Sequence, residues 1–412
     1  MRADRRIARR IALSLLARLR CGELTIVDEQ GRRLTVGEGA PRALVQVRSP
    51  ALWTALRHGS RGLAEAYRDG HWESPDLVAV GRVAALNAGA LDRWRRWLAP
   101  LRVPLQALRG IRVRNTQARS ARAIASHYDL GDELFEAMLD ETMTYSTAYF
   151  KAPQMTLAEG ARAKLELICE DLELGREDHV LEIGGGWGSF ALHAAATRGA
   201  RVTTTTISRR QYERARAQVR AAGLEGQVNV LFQDYRELCG RYEKLVSIEM
   251  IEAVGARDLG TYFARCSELL SERGTMLLEA IVIDDRAYAV EKASRSFIRT
   301  HIFPGGCLPS REVIARCLAR HTDMSMVAMR DLTPHYVETL RRWRARFERA
   351  RHLDELGFDE RFRRLWRLYL AYCEAGFTER RISVVQMLLA KPRWRAAQPP
   401  RVLRGARRAA MV

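Results

Sequence analysis

The stretch Val180-Leu181-Glu182-Ile183-Gly184-Gly185-Gly186-Trp187-Gly188 constrains this chain more than any other. A short apolar run carrying one acid breaks into glycines before a helical pattern begins, which reads as a strand, a tight turn and a helix. Glycine has no Cβ, so it turns sharply and lets backbone N–H groups approach a ligand at the helix N-terminus. A dinucleotide site spaces its glycines G-x-G-x-x-G. Here Gly184, Gly186 and Gly188 give G-x-G-x-G, with Glu182 two positions ahead. A nucleotide-like ligand is the expectation, and a plain glycine turn of some other α/β domain is the alternative.

Strand patterns at 179–183, 201–206, 227–232, 244–248 and 275–283 alternate with helical stretches such as 211–222 and 259–270. That alternation predicts a Rossmann-like α/β fold, a doubly wound and mostly parallel sheet with its ligand at the carboxyl ends of the strands. Helical stretches around 310–320, 335–351 and 359–377 are expected to cap the site. Residues 21–85 read as a small accessory α+β domain, with strands at 24–27, 34–36 and 43–47 and a helix over 51–70 that ends at Gly70. Residues 1–20 form a basic segment with Ile7, Ile11 and Leu15 on one helical face, flanked by Ala8, Ala12 and Leu16. An Arg- and Trp-rich linker (Arg93 to Trp97) occupies 86–120, the main domain 121–395, and a basic tail 396–412.

Charge narrows the partner. The chain holds 68 Lys plus Arg against 49 Asp plus Glu, a net of +19, which favours an anionic surface. Its aromatics fall on core-like apolar stretches rather than alternating with arginine. Nucleic acid is therefore not the expected partner, and an anionic membrane surface is. Seven cysteines are scattered without a C-x-x-C pair, so neither a metal cluster nor a disulfide framework is expected. A cytoplasmic protein lying peripherally on the inner leaflet follows. Pairing with a second copy is left open.

Four further motifs surround the glycine turn: Ser126-His127-Tyr128-Asp129-Leu130-Gly131-Asp132, then Leu139 to Phe150 with Thr144-Tyr145-Ser146-Thr147, then Ser247-Ile248-Glu249-Met250-Ile251-Glu252-Ala253-Val254-Gly255, then Ile302-Phe303-Pro304-Gly305-Gly306. In this order they resemble the cyclopropane-fatty-acyl-phospholipid synthase and mycolic-acid methyltransferase family over about residues 120 to 392. The resemblance implies a seven-stranded sheet and S-adenosylmethionine (SAM) as methyl donor. It also implies the double bond of an unsaturated phospholipid acyl chain as acceptor. Tyr145 and Ser146 would touch the methionine end of SAM, Gly184 and Gly186 would pass beneath it, Thr206 and Gln211 would hold the ribose side, and Asp234 and Tyr235 would meet the adenine. The residues agree in one respect: strand two ends in Thr and Ser, not in the acid that a dinucleotide site places on its ribose.

Methyl transfer to an alkene leaves a carbocation, so a base must then remove a proton, giving a cyclopropane or a methyl- or methylene-branched chain. The resemblance implies bicarbonate as that base, held by five positions. Glu252, Tyr336 and Cys373 match; Thr147 stands in place of a cysteine and Glu279 in place of a histidine. Two buried acids would repel a bicarbonate anion, which argues against it. Glu279 is the expected base instead, against the plainer reading of a strand-end carboxylate paired to an arginine. A non-catalytic lipid-binding or partner subunit is the alternative function.

Overall fold

The computed structural model describes residues 2–89, 131–294 and 296–396. The linker from residue 90 onward, the 126–130 part of the first motif and the tail beyond 396 lie outside the described residues.

A first sheet joins β1 (Gly22–Val27), β2 (Arg33–Glu38), β3 (Arg42–Val47) and β4 (Trp72–Glu73) in the order β2-β1-β3-β4. Alternation builds it: Leu24 and Ile26 of β1 and Ala43, Val45 and Val47 of β3 are buried, with polar neighbours turned outward. The inner face packs with Leu52, Trp53, Ala64, Ala66 and Tyr67. Those residues lie on two helices, Ala51–Ala55 and Gly59–Arg68, where the periodicity predicts one. The break brings Gly62 so close to the Ala55 carbonyl that a Cβ there would sit 1.8 Å from its oxygen.

The N-terminal helix, Arg2–Leu16, splits the apolar stripe expected of it. Ala8 and Ala12 are buried, whereas Ile7 and Ile11 are 55% and 54% exposed. Arg9 anchors the docked side through Asp28 at 2.6 Å.

Seven strands form the main sheet: β5 (His179–Ile183), β6 (Arg201–Thr206), β7 (Val228–Phe232), β8 (Tyr242–Ile248), β9 (Leu270–Ile283), β10 (Ser325–Asp331) and β11 (Ile382–Ala390). Their order is β10-β11-β9-β8-β5-β6-β7. The five central pattern strands β5 to β9 run parallel, and β10 and β11 add an antiparallel edge. Parallel strands are covered on both faces, which is why Met276 to Ile283 of β9 reads as an apolar run broken only by Glu279. Helices Leu157–Asp171 and Ser189–Arg198 cover one face. Leu259–Leu269 covers the other together with Arg311–His321, whose Val313, Ile314 and Leu318 pack with β9 and β11 side chains. The 310–320 stretch is therefore a layer helix of the sheet rather than part of the cap, because its apolar stripe matches the sheet face. The cap consists of Thr333–Arg349 and Glu360–Thr378, packed on each other.

The first unit braces that cap. Arg364 of the Glu360–Thr378 helix donates to the Tyr67 carbonyl at 2.6 Å, to Glu73 at 2.7 Å and to the Trp72 carbonyl at 3.2 Å. Its guanidinium lies 4.2 Å from the centre of the Tyr67 ring. One fork serving three acceptors and a ring is geometry that lysine cannot copy. Arg364→Ala is expected to cost about 2–3 kcal/mol in urea unfolding, with Arg364→Lys recovering less than half. A loss of only about 0.5 kcal/mol, typical of a surface pair, would place the brace elsewhere.

Candidate active site

The turn after β5 is held open by backbone geometry. The N–H groups of Gly184 and Gly185 both donate to the Thr205 carbonyl at 3.0 Å, and Gly184 (φ +86) and Gly186 (φ +55) adopt left-handed backbone, which glycine takes without penalty. A Cβ on Gly186 would meet nothing within 4 Å, so open space lies beside it. A Cβ on Gly185 would fall 1.8 Å from Thr204 Oγ1, so no side chain fits there. That hydroxyl donates to buried Glu182 at 2.6 Å. Burial lifts the Glu182 carboxyl to about 7, against the opposing pull of Thr204 and Lys164.

Thr206, Asp234 and Tyr235 lie at or just beyond the ends of the neighbouring strands β6 and β7, and Tyr145 and Ser146 on the loop before Leu157. Thr206 Oγ1 donates to Gln211 Oε1 at 2.7 Å, and Ser208 caps the helix that carries Gln211. Asp234 is engaged by Arg236, which donates at 2.8 and 2.7 Å to its two oxygens. Tyr235 sets its ring edge-on to Tyr262 at 5.5 Å. Tyr145 shares a 2.8 Å hydroxyl hydrogen bond with Tyr369 and packs on Trp343 at 5.3 Å. Ser146 accepts from Lys164 Nζ at 2.6 Å.

Three acids come together here, Glu249, Glu252 and Glu279. Glu279 is fully buried; Lys164 approaches one oxygen at 3.4 Å and Gln386 donates to the other at 2.8 Å. Its partners are thus a lysine and a glutamine, not an arginine, and they tie it into the sheet. Glu249, quoted in the motif and given no role, stands just beyond the end of β8 with φ +47. Its Oε1 accepts from the Thr147 N–H at 2.8 Å and its Oε2 from the Tyr336 hydroxyl at 2.7 Å. Burial, then the charges of Glu279 and Glu252, push the Glu249 carboxyl well above its usual range. Glu252 binds the Ile281 N–H through one oxygen; the other is buried with no partner among the described residues. Burial raises the Glu252 carboxyl to about 8. Thr147 turns its hydroxyl to the Ala148 carbonyl, so only its backbone reaches the cluster. Cys373 remains a thiol, pushed up to about 12 by burial and by Glu249.

Three further residues join this cluster, Glu249, Lys164 and Tyr369, and two of them leave a trace in the sequence. Glu249 is an acid directly after the apolar run of a parallel strand. Lys164 is a lone lysine on the stripe Leu157, Ala161, Ile168 of its helix. Tyr369 gave no local signal, because only the folded chain brings it to Tyr145.

A mostly parallel sheet with a glycine turn after its first strand, a Thr–Gln pair after the second and a buried cluster of acids beside the cap helices define a Rossmann-like SAM-dependent methyltransferase. A family model described as mycolic acid cyclopropane synthetase matches residues 115–387, and the chain belongs to that family. Tuberculostearic acid methyltransferase of Mycobacterium tuberculosis is 39% identical over 378 residues, 87% of each chain. Cyclopropane-fatty-acyl-phospholipid synthase of Escherichia coli is 35% identical over 357 residues, 86% of this chain and 89% of that one. Among solved structures, a cyclopropane synthase from Mycobacterium tuberculosis gives a TM-score of 0.62 at 29% identity, covering 66% of this chain and 98% of that one. A mycolic acid cyclopropane synthase complexed with SAH and CTAB gives 0.62 at 28% over the same shares. Among the described residues no helix is long and apolar enough to cross a membrane.

The raised Glu252 carboxyl fixes a sign for stability. A carboxyl protonated more readily in the folded chain adds stability that is present at acid pH and lost as pH rises from 4.5 through about 8. Glu252→Gln keeps a neutral group of the same shape, so its stability relative to the wild type is expected to climb across that window. Urea unfolding of both proteins at about pH 5 and about pH 8.5 reads the difference; a difference that stays flat contradicts the burial argument.

Proposed function

We propose that the enzyme transfers the methyl group of SAM to the double bond of an unsaturated acyl chain in a phospholipid. One observation carries this reading: the buried acids are walled by aromatic rings. Tyr336 packs on Phe377 at 4.4 Å and on Trp343 at 6.0 Å, Tyr145 on Trp343, and Tyr369 on Phe303 at 6.1 Å. Such walls suit an apolar chain, and their faces stabilise a cation formed beside them. SAM supplies an electrophilic methyl. Tyr145, Ser146, Gly184 and Gly186 are proposed to hold its methionine end, Thr206 and Gln211 its ribose, and Asp234 and Tyr235 its adenine. The Arg236 pair on Asp234 must then share that carboxylate or yield it.

The relatives support the acceptor. One is named for an acyl-phospholipid and cyclopropane, the other as a tuberculostearic acid methyltransferase; the product proposed for this chain is a cyclopropane or a methyl- or methylene-branched chain. The base belongs to the carboxylate cluster of Glu249, Glu252 and Glu279. The net charge of +19 and exposed Ile7 and Ile11 beside Arg6 and Arg10 suit an anionic bilayer at the cytoplasmic face.

Vesicles of a monounsaturated phospholipid with an anionic component, incubated with SAM, are expected to gain one CH2 unit per modified chain. Fragmentation then distinguishes a ring from a branch. SAM binding without any gain in lipid mass would favour the non-catalytic alternative.

A further inference from the structure

Five positions are those that the family resemblance gives to a bound bicarbonate, and in this chain they are turned to other partners. Thr147, through its N–H, and Tyr336, through its hydroxyl, both donate to the Glu249 carboxylate at 2.8 and 2.7 Å. Cys373 lies close enough to feel the charge of Glu249. Glu279 is held by Lys164 and Gln386, and Glu252 by the Ile281 N–H. The donors that would grip a small planar anion already grip a carboxylate, the same O–C–O group borne on a side chain. A bicarbonate would need donors of its own, and the Thr147 N–H and the Tyr336 hydroxyl are given to Glu249, while Lys164, the one lysine among them, is committed to Glu279 and Ser146. Bicarbonate therefore does not fit these residues.

Partners separate Glu249 from Glu279. Both carboxyls are buried, but Glu279 is tied into the sheet by Lys164 and Gln386, whereas Glu249 takes its two hydrogen bonds from the loop and from the cap. Each Glu249 oxygen accepts one hydrogen bond here and has a second lone pair left. The groups that face it come from every side: Glu279 from the sheet, Glu252 from the short helix Ile251–Val254 after β8, Tyr145 and Thr147 from the loop before Leu157, Tyr336 from one cap helix, and Tyr369 and Cys373 from the other. Its left-handed backbone is a conformation that a non-glycine residue keeps only where its surroundings enforce it.

Resting on the methyl transfer proposed above, we infer that Glu249 is the base of the reaction, a carboxylate built into the chain where a bicarbonate would sit, and that turnover needs no bicarbonate. The alkene π pair forms the new C–C bond to the methyl carbon, the S–CH3 bond breaks with its pair left on sulfur, and the adjacent chain carbon becomes cationic. Glu249 takes one proton from the added methyl, and the freed C–H pair closes the third side of a cyclopropane. Alternatively a 1,2-hydride shift first moves the cation to the methyl-bearing carbon, and the same proton loss leaves a methylene. The proton ends on Glu249, beside the Tyr336 hydroxyl, and passes to water before the next turnover.

The test uses the full-length enzyme, the vesicles described above and buffer freed of carbon dioxide. The wild type is expected to keep its full rate there. Glu249→Gln, isosteric and unable to take a proton, is expected to lose about 100-fold or more in kcat while calorimetry shows SAM binding within about threefold. Glu249→Gly suits the left-handed backbone and vacates the anion's place, so added bicarbonate is expected to restore part of its activity. Labelled [13C]bicarbonate should broaden in NMR with this variant and not with the wild type. A wild-type rate that falls without bicarbonate and returns with it overturns the inference, as does bicarbonate binding to the wild type. Glu249→Gln within about fivefold of wild-type kcat does the same. Should the wild type methylate no unsaturated phospholipid while the NMR contrast holds, the acceptor reading fails and the replacement of bicarbonate by Glu249 stands.

Discussion

A carboxylate withdrawn from water must be met by donors or surrender its charge, and the site is assembled around that demand at Glu249. Its two donors come from chain positions 102 and 87 residues away: Thr147 from the loop ahead of the sheet, Tyr336 from the cap. The two hydrogen bonds that satisfy the acid therefore also fix where the cap sits over the carboxyl ends of the strands. Losing either would leave a buried acceptor short of a partner, which is costlier than the bond itself is stabilising.

A second buried pair does the complementary work. Lys164 reaches Ser146 on one side and Glu279 on the other, coupling the loop before Leu157 to β9. It also offsets one of several negative charges that could not all persist together in a low-dielectric space. The first unit contributes mechanically. Arg364 locks it to the Glu360–Thr378 helix, and that helix carries Tyr369 and Cys373 to the chamber. Bracing one side of a helix holds the other side's side chains in register, a service no residue of the chamber provides for itself.

Much of the fold was legible because its signals are local. The parallel strands β5 to β9 announced themselves as apolar runs between helical stretches, and the glycine turn marked the ligand end. The antiparallel edge of β10 and β11 was not read from periodicity, since strands paired across more than fifty residues carry no local mark of their partner. The helix Arg311–His321 was assigned to the cap because an amphipathic stripe shows that a face is buried without showing against what. The Arg236 pair on Asp234, two residues away, likewise has no mark in the motif.

The sequence by itself determined the class of sheet, the cofactor and the family, because each rests on ordered motifs whose residue types are dictated by backbone turns and strand ends. Only the tertiary structure decided which partners each acid meets. Glu249, Glu252 and Glu279 are indistinguishable as letters, and their roles come from what the fold sets against them: a phenol and an amide N–H, a single N–H, or a lysine and a glutamine. Since electrostatics in a buried site depends on distance and desolvation rather than on sequence position, that choice could be made nowhere else.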